Sequence, residues 1–458
     1  MLKKSLVALC ASLMSIASWA SDESATHEYM LDNGLKVIIK EDHRAPVVIS
    51  QVWYKVGSSY EHNGITGVSH ILEHMMFKGT EKHAPGEFSR IISENGGSQN
   101  AFTGRDYTAY FQTLEKSRLE VSFEMESDRM RNLKLLDDEF AKEIQVVMEE
   151  RRLRTEDNPK SLTYEQFAST AFMNNPYGNP VIGWMNDLEN MNNDDLRKWY
   201  EMWYAPNNAT LVVVGDVNAD EVYQMAKKYY GVHQRGEVAA TKPRIEAAQK
   251  GEKRVLVKAP AELPYLMMGY KVPTLTPEDS WEPYALEVLA AVLDGGKGAR
   301  FEKLLVREKQ IAASIGTSYG MTGLHNDLLS FSGTPAQGQT VETLELAIRE
   351  QVQRLHHELA SEEELARIKA QVVAADVYQR DSVYYQAMQI GILETVGLSW
   401  KILDDYVERI RAITPEQIQQ VAKKYLIDDN LTIATLMPQP LDLETMKRRM
   451  SGGGGHGR

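Results

Sequence analysis

Leu196-Arg197-Lys198-Trp199-Tyr200 opens a helical pattern that runs to Trp203-Tyr204, Ala205-Pro206-Asn207-Asn208 breaks it, and Ala209 to Val214 is a β-rich apolar run. The same order returns later in the chain. Ile418 to Tyr425 is helical in pattern, Asp428-Asp429-Asn430 is the break, and Leu431 to Leu436 is the strand. The offset is 222 residues, both from Leu196 to Ile418 and from Asn208 to Asn430. Internal repetition of this kind marks a duplicated unit. The starts of the two halves agree as well. Leu35 to Lys40 and Val47 to Val56 read as paired strands, with Asp32-Asn33-Gly34 as a turn before them, and Arg254 to Lys258 and Tyr265 to Val272 read the same way. A helix follows each pair, at Gly67 to Phe77 and at Pro283 to Leu293. Strands and helices mix without strict βαβ alternation. The expected class is α+β, two similar α/β-sandwich domains in tandem, each a mixed or antiparallel sheet packed with helices.

Length and composition agree with two domains. The chain has 458 residues, 43% hydrophobic and 25% charged, with a formal net charge of −13. Such a balance excludes a mainly disordered chain and argues against a nucleic-acid binder, which would carry a basic excess. Residues 1–20 read as an export signal. Lys3 and Lys4 form the positive region, Ser5 to Ile16 the apolar region, and Ser18-Trp19-Ala20 the small-residue cleavage site. Cleavage after Ala20 would deliver the chain to the periplasm. The only cysteine, Cys10, would leave with the signal, so the mature chain has no disulfide, thiolate ligand or cysteine nucleophile. No later apolar run is long enough to span a membrane. The expected division is 21–233 for the first domain, 234–252 for a polar linker punctuated by Gly236, Pro243 and Gly251, 253–440 for the second domain, and 441–458 for a flexible Gly-rich tail.

The chemistry concentrates in His70-Ile71-Leu72-Glu73-His74. On a helix His70 and His74 lie one turn apart on one face and can share a zinc ion, while Glu73 sits beside that face within reach of water. A catalytic zinc site takes a third protein ligand and keeps one position open. Phe140 to Arg152 offers two candidates. Glu149 shares its stripe with Lys142, Gln145 and Arg152, a solvated face. Glu150 shares its stripe with Glu143 and Val147, and an acid facing inward needs a partner such as a metal. Glu150 is therefore the expected ligand, and Glu143 is expected to orient a ligand or substrate.

With these motifs, followed by Asn100-Ala101-Phe102-Thr103 and the duplicated plan, the chain resembles the pitrilysin/insulinase family of zinc metallopeptidases, which includes the mitochondrial processing peptidases. The resemblance covers nearly the whole mature chain. It implies Zn2+ held by His70, His74 and Glu150, with Glu73 as general base for hydrolysis of peptide bonds. It also implies that Asn100 and Ala101 pair with an extended peptide as an added strand. Family members complete the site with an Arg-x6-Tyr pair from a later domain. Arg307 matches the Arg, but Ser314 stands where the Tyr is expected. Half-length members pair two subunits into a clam-shaped chamber. The missing Tyr therefore points to a heterodimer with a related chain that supplies the Arg/Tyr pair. The competing reading is a non-catalytic scaffold or assembly subunit that has kept the fold.

Overall fold

The computed structural model describes residues 25–441, so the expected export signal at 1–20 and nearly all of the expected tail at 441–458 lie outside the described residues. The first half contains β1 (Thr26–Met30), β2 (Lys36–Glu41), β3 (Val47–Tyr54), α1 (Val68–Met75), α2 (Glu87–Glu94), β4 (Ser98–Thr103) and β5 (Thr108–Glu115). It continues through α3 (Leu119–Arg131), α4 (Asp137–Arg151), α5 (Pro159–Ala171), α6 (Met185–Asn190), α7 (Asn193–Trp203), β6 (Ala209–Gly215) and α8 (Ala219–Tyr229). The second half contains β7 (Lys253–Pro260), β8 (Tyr265–Val272), α9 (Glu282–Asp294), β9 (Ala312–Ser318) and β10 (Asp327–Pro335). It ends with α10 (Val341–His357), α11 (Glu362–Gln379), α12 (Val383–Thr395), α13 (Ile402–Ala412), α14 (Pro415–Tyr425) and β11 (Leu431–Gln439).

The strands form two sheets, in the orders β1-β2-β6-β3-β5-β4 and β7-β11-β8-β10-β9. Apart from β1 the two orders are the same, which makes the duplication a fact of topology. One expectation is corrected. The opening strands of each half do not pair with each other, because the last strand of the half lies between them. β6 runs parallel to β2 and antiparallel to β3, and β11 does the same between β7 and β8. The reason is burial. Every residue of β6 is buried, and a strand apolar on both faces belongs in the middle of a sheet.

Alternation along the strands divides the core into layers. Val37, Ile39, Leu211 and Val213 face helices of their own half, among them α1, α3, α4 and α7. Ile38, Val212 and Val214 face the other way, against Ala387 and Ile390 of α12, a helix from the second half. The second sheet repeats this arrangement with the roles exchanged. Leu266, Met268 and Ile433 face their own helices, whereas Met267, Leu328 and Ala434 pack on Phe167 and Ala171 of α5. Each half thus lends one helix to cover its neighbour's sheet. No described helix is long and apolar enough to cross a membrane.

Candidate metal centre

The site begins at the entry to α1. Gly67 precedes the helix with a φ of 90°, and a Cβ there would meet the carbonyl oxygen of Ile182 at 2.7 Å, so the position needs glycine for both conformation and space. One turn apart on the helix, His70 and His74 bring their rings to a centroid separation of 4.9 Å. α4 crosses beside them and delivers Glu150. Its Oε2 lies 3.5 Å from His74 Nε2 and its Oε1 lies 3.9 Å from His70 Nε2. One donor atom from each of the three residues falls within 4.8 Å of the others. A tetrahedral ion with bonds of about 2.1 Å sets its ligand atoms about 3.4 Å apart, so the trio needs little closing to hold one. Two imidazoles and a carboxylate are a donor set suited to zinc. Among the described residues no other group of three such side chains approaches this closely.

The surroundings fix orientation and charge. His74 Nδ1 is 3.2 Å from Glu143 Oε2, and the other Glu143 oxygen is 2.6 Å from Lys78 Nζ. That carboxylate holds the imidazole proton on Nδ1 and turns Nε2 toward Glu150, the arrangement that tunes metal-binding histidines. Burial pushes the His70 pKa down to about 4, with His74 adding to the effect against the pull of Glu150, so His70 is a neutral acceptor near pH 7. For His74 burial works in the same direction, but the bonds to Glu150 and Glu143 outweigh it and raise its pKa. Glu150 is held below the usual carboxylate range. Burial opposes this, and His74, His70 and Arg154 together overcome it. Glu73 receives a hydrogen bond from Thr103 Oγ1 at 2.5 Å, and burial carries its pKa upward against that bond.

His70, Glu73, His74, Thr103, Glu150 and Arg154 line a cleft of about 630 Å³, together with Asn100, Ala101, Phe102, Arg105, Tyr164, Val181 and Ile182. Asn100 and Ala101 belong to β4, the outermost strand of the first sheet. Arg105 spans the halves, donating to Asp327 at 2.9 Å and to Tyr164 at 2.5 Å. Glu149 points away from the cleft and pairs with Arg152 on the surface. Arg307 and Ser314 are not among the cleft residues. The Arg307 guanidinium donates to the Lys297 carbonyl, and Ser314 lies in β9 opposite Thr334.

Three residues at the site were missed in the sequence, and helical or strand spacing could have found them. Arg154, four residues beyond Glu150 on a widened π-type turn, places Nη1 2.6 Å from Glu150 Oε1. Lys78 stands four residues after His74. Thr103 shares the face of β4 with Ala101 by the two-residue alternation of strands.

Two family models match successive stretches of the chain, and they meet ahead of β6, inside the first half. Residues 36–184 match the family model described as insulinase (peptidase family M16), and residues 190–372 match the model described as peptidase M16 inactive domain. The zinc protease PqqE of Helicobacter pylori is 32% identical over 94% of this chain and 96% of its own. The chain belongs to the insulinase (M16) peptidase family. Other M16 relatives include a probable mitochondrial-processing peptidase subunit beta of Arabidopsis thaliana, 24% identical over 89% of this chain and 77% of its own. Among solved structures, a protease from Helicobacter pylori superposes with a TM-score of 0.86 at 30% identity, covering 91% of this chain and all of the other. The periplasmic protease PqqL of Escherichia coli gives a TM-score of 0.75 at 17% identity, and 94% of this M16 chain accounts for 50% of it. That likeness is one of fold.

Proposed function

We propose that the chain is a zinc-dependent endopeptidase or oligopeptidase that hydrolyses extended peptides in the periplasm. The observation that carries this reading is the convergence of His70, His74 and Glu150 beside a carboxylate, Glu73, that is not itself part of the trio. His70 and His74 through Nε2, and Glu150 through its carboxylate, would hold the ion. When bound, zinc supplies Lewis acidity, which acidifies water and polarises a carbonyl. Glu73 is the general base. Its carboxylate, steadied by Thr103, takes a proton from water and returns it to the departing amine. A buried base with an upward-shifted pKa suits that exchange near neutral pH. Glu143 orients His74 through Nδ1. The outer edge of β4 at Asn100 and Ala101 receives the peptide backbone, which favours extended segments over folded proteins.

A second, related chain is part of this reading. Arg307 and Ser314 lie outside the cleft, and the two tyrosine hydroxyls at its wall are engaged, Tyr164 with Arg105 and Tyr177 with Asp106. Groups that meet the developing oxyanion would come from a partner chain in a heterodimer; within this chain the zinc-bearing domain is residues 21–233, joined through 234–252 to a zinc-free domain at 253–440. Full peptide hydrolysis by a purified homodimer would overturn the partner claim.

The catalytic claim is tested by metal analysis with a Glu73→Gln comparison. The expected result is about one zinc per chain in both forms, with hydrolysis reduced on the order of 10²–10⁴-fold in the variant. Undiminished hydrolysis would remove Glu73 from its role. Absence of hydrolysis in either form, with the partner present, would favour the scaffold reading.

A further inference from the structure

Glu61 is a fully buried carboxylate outside the zinc motif. Its Oε2 accepts the backbone N–H of Gly67 at 2.7 Å and its Oε1 accepts that of Ser69 at 2.9 Å. These two donors belong to the first turn of α1, whose N-cap is a glycine with no side chain to offer. The carboxylate does from six residues upstream what a capping Ser or Asp does from the cap itself, and it adds a negative charge at the positive end of the helix dipole. His70 follows Ser69 directly.

Asp187 extends the support to the rest of the loop. Its Oδ2 accepts from Gly64 N at 3.1 Å, Thr66 N at 3.2 Å and Thr66 Oγ1 at 2.5 Å, and Thr66 Oγ1 in turn accepts from Trp184 N at 3.0 Å. On the far side, Arg151 donates to the Gly183 carbonyl at 2.9 Å and pairs with Glu165. Arg151 is the neighbour of Glu150. Buried and partly buried hydrogen bonds, joined through the adjacent residues Thr66-Gly67 and Gly183-Trp184, therefore run from the start of α1 to the end of α4, linking the segments that carry the two histidines and the glutamate.

We infer that Glu61 is a positioning residue for the metal centre, setting the height and rotation of α1 so that both imidazoles meet Glu150. This rests on the zinc reading above. Glu61→Gln keeps the shape but points an amide NH2 at a backbone N–H, so one of the two bonds is lost. The test is zinc affinity by competition with a chromophoric chelator at pH 8, above the value of about 7 to which burial pushes Glu61. Glu61→Gln should bind zinc about ten- to a hundredfold more weakly than wild type, with an unchanged circular dichroism spectrum. Glu149→Gln, on the exposed face of α4, should match wild type.

A folded Glu61→Gln protein with wild-type zinc affinity overturns the inference, even if its melting temperature falls, since that result describes a purely structural cap. Should that variant fail to fold, Glu61→Asp decides. It keeps the charge but is one methylene too short to reach both donors, and wild-type affinity in the folded Asp form overturns the inference equally. Wild-type protein whose zinc binding is indifferent to His70→Ala would instead sink the zinc reading itself, which separates the two failures.

Discussion

In the first half α1 turns His70, Glu73 and His74 toward a cleft, whereas the helix that occupies the same place in the second half, α9, buries Leu286, Leu289 and Val292 and carries no histidine. At the 222-residue offset, Glu143 and Glu150 of α4 fall on Leu365 and Val372 of α11, both packed in the second core. The same strand order and helix sequence are thus satisfied by apolar residues in one half and by a set of mutually compensated charges in the other. The difference teaches that the metal centre is laid over a fold that does not require it. Both of these acids have partners, Glu143 with His74 and Lys78, Glu150 with the histidines and Arg154, as buried carboxylates must.

The exchanged helices show a second contrast. Trp53 stands opposite Thr210 in the first sheet, and Gly269 stands opposite Thr432 in the second, so the two residues occupy equivalent positions. In the first sheet the strand supplies the aromatic ring and α12 supplies the space, at Gly391. In the second the strand supplies the space and α5 supplies the ring, Phe167. The contact is conserved in form with its donors reversed.

These contrasts can be broken or sharpened experimentally. If the charges of the first half serve the ion and not the fold, His74→Ala should lose zinc binding by several orders of magnitude while circular dichroism stays that of wild type. Unfolding of that variant would mean that the histidine is structural. Phe167→Ala empties the fully buried contact between α5 and the second sheet, and denaturant unfolding should find about 3–5 kcal/mol lost. Gly391→Ala drives a methyl group into the Trp53 indole, and the same measurement should find about 1–3 kcal/mol lost. A Trp53 ring able to move aside would remove that penalty. Glu143→Gln should weaken zinc binding about ten- to a hundredfold, because a neutral amide orients the His74 imidazole less firmly. Smallest of all, Glu149→Gln on the solvated face should change stability by less than about 0.5 kcal/mol.

Much of this was legible in the sequence because it is local. The His70/His74 spacing declares a shared helical face. Glu150 and Glu149 fall on different helical stripes, and because burial follows helical period their partners differ accordingly. The repeat near Leu196 and Ile418 was readable because both segments start and stop cleanly, each helix carrying a capping box at Asn192 or Thr414. What stayed hidden is long-range. Nothing in β2 and β3 announces that a strand more than a hundred residues later will separate them. The trade of α5 and α12 depends on shape matches such as Gly391 against Trp53, which no periodicity records. Glu61 was overlooked for the same reason, since its partners are backbone N–H groups that leave no signature in side-chain pattern.

The central claim is that three side chains from two helices hold one ion. Anomalous X-ray diffraction above and below the zinc absorption edge, on crystals of the zinc-loaded protein, tests it most directly. The account predicts a single strong peak bonded to His70 Nε2, His74 Nε2 and a Glu150 carboxylate oxygen, with Glu73 nearby but not bonded. A peak elsewhere, or one that leaves Glu150 outside the coordination sphere, would contradict it.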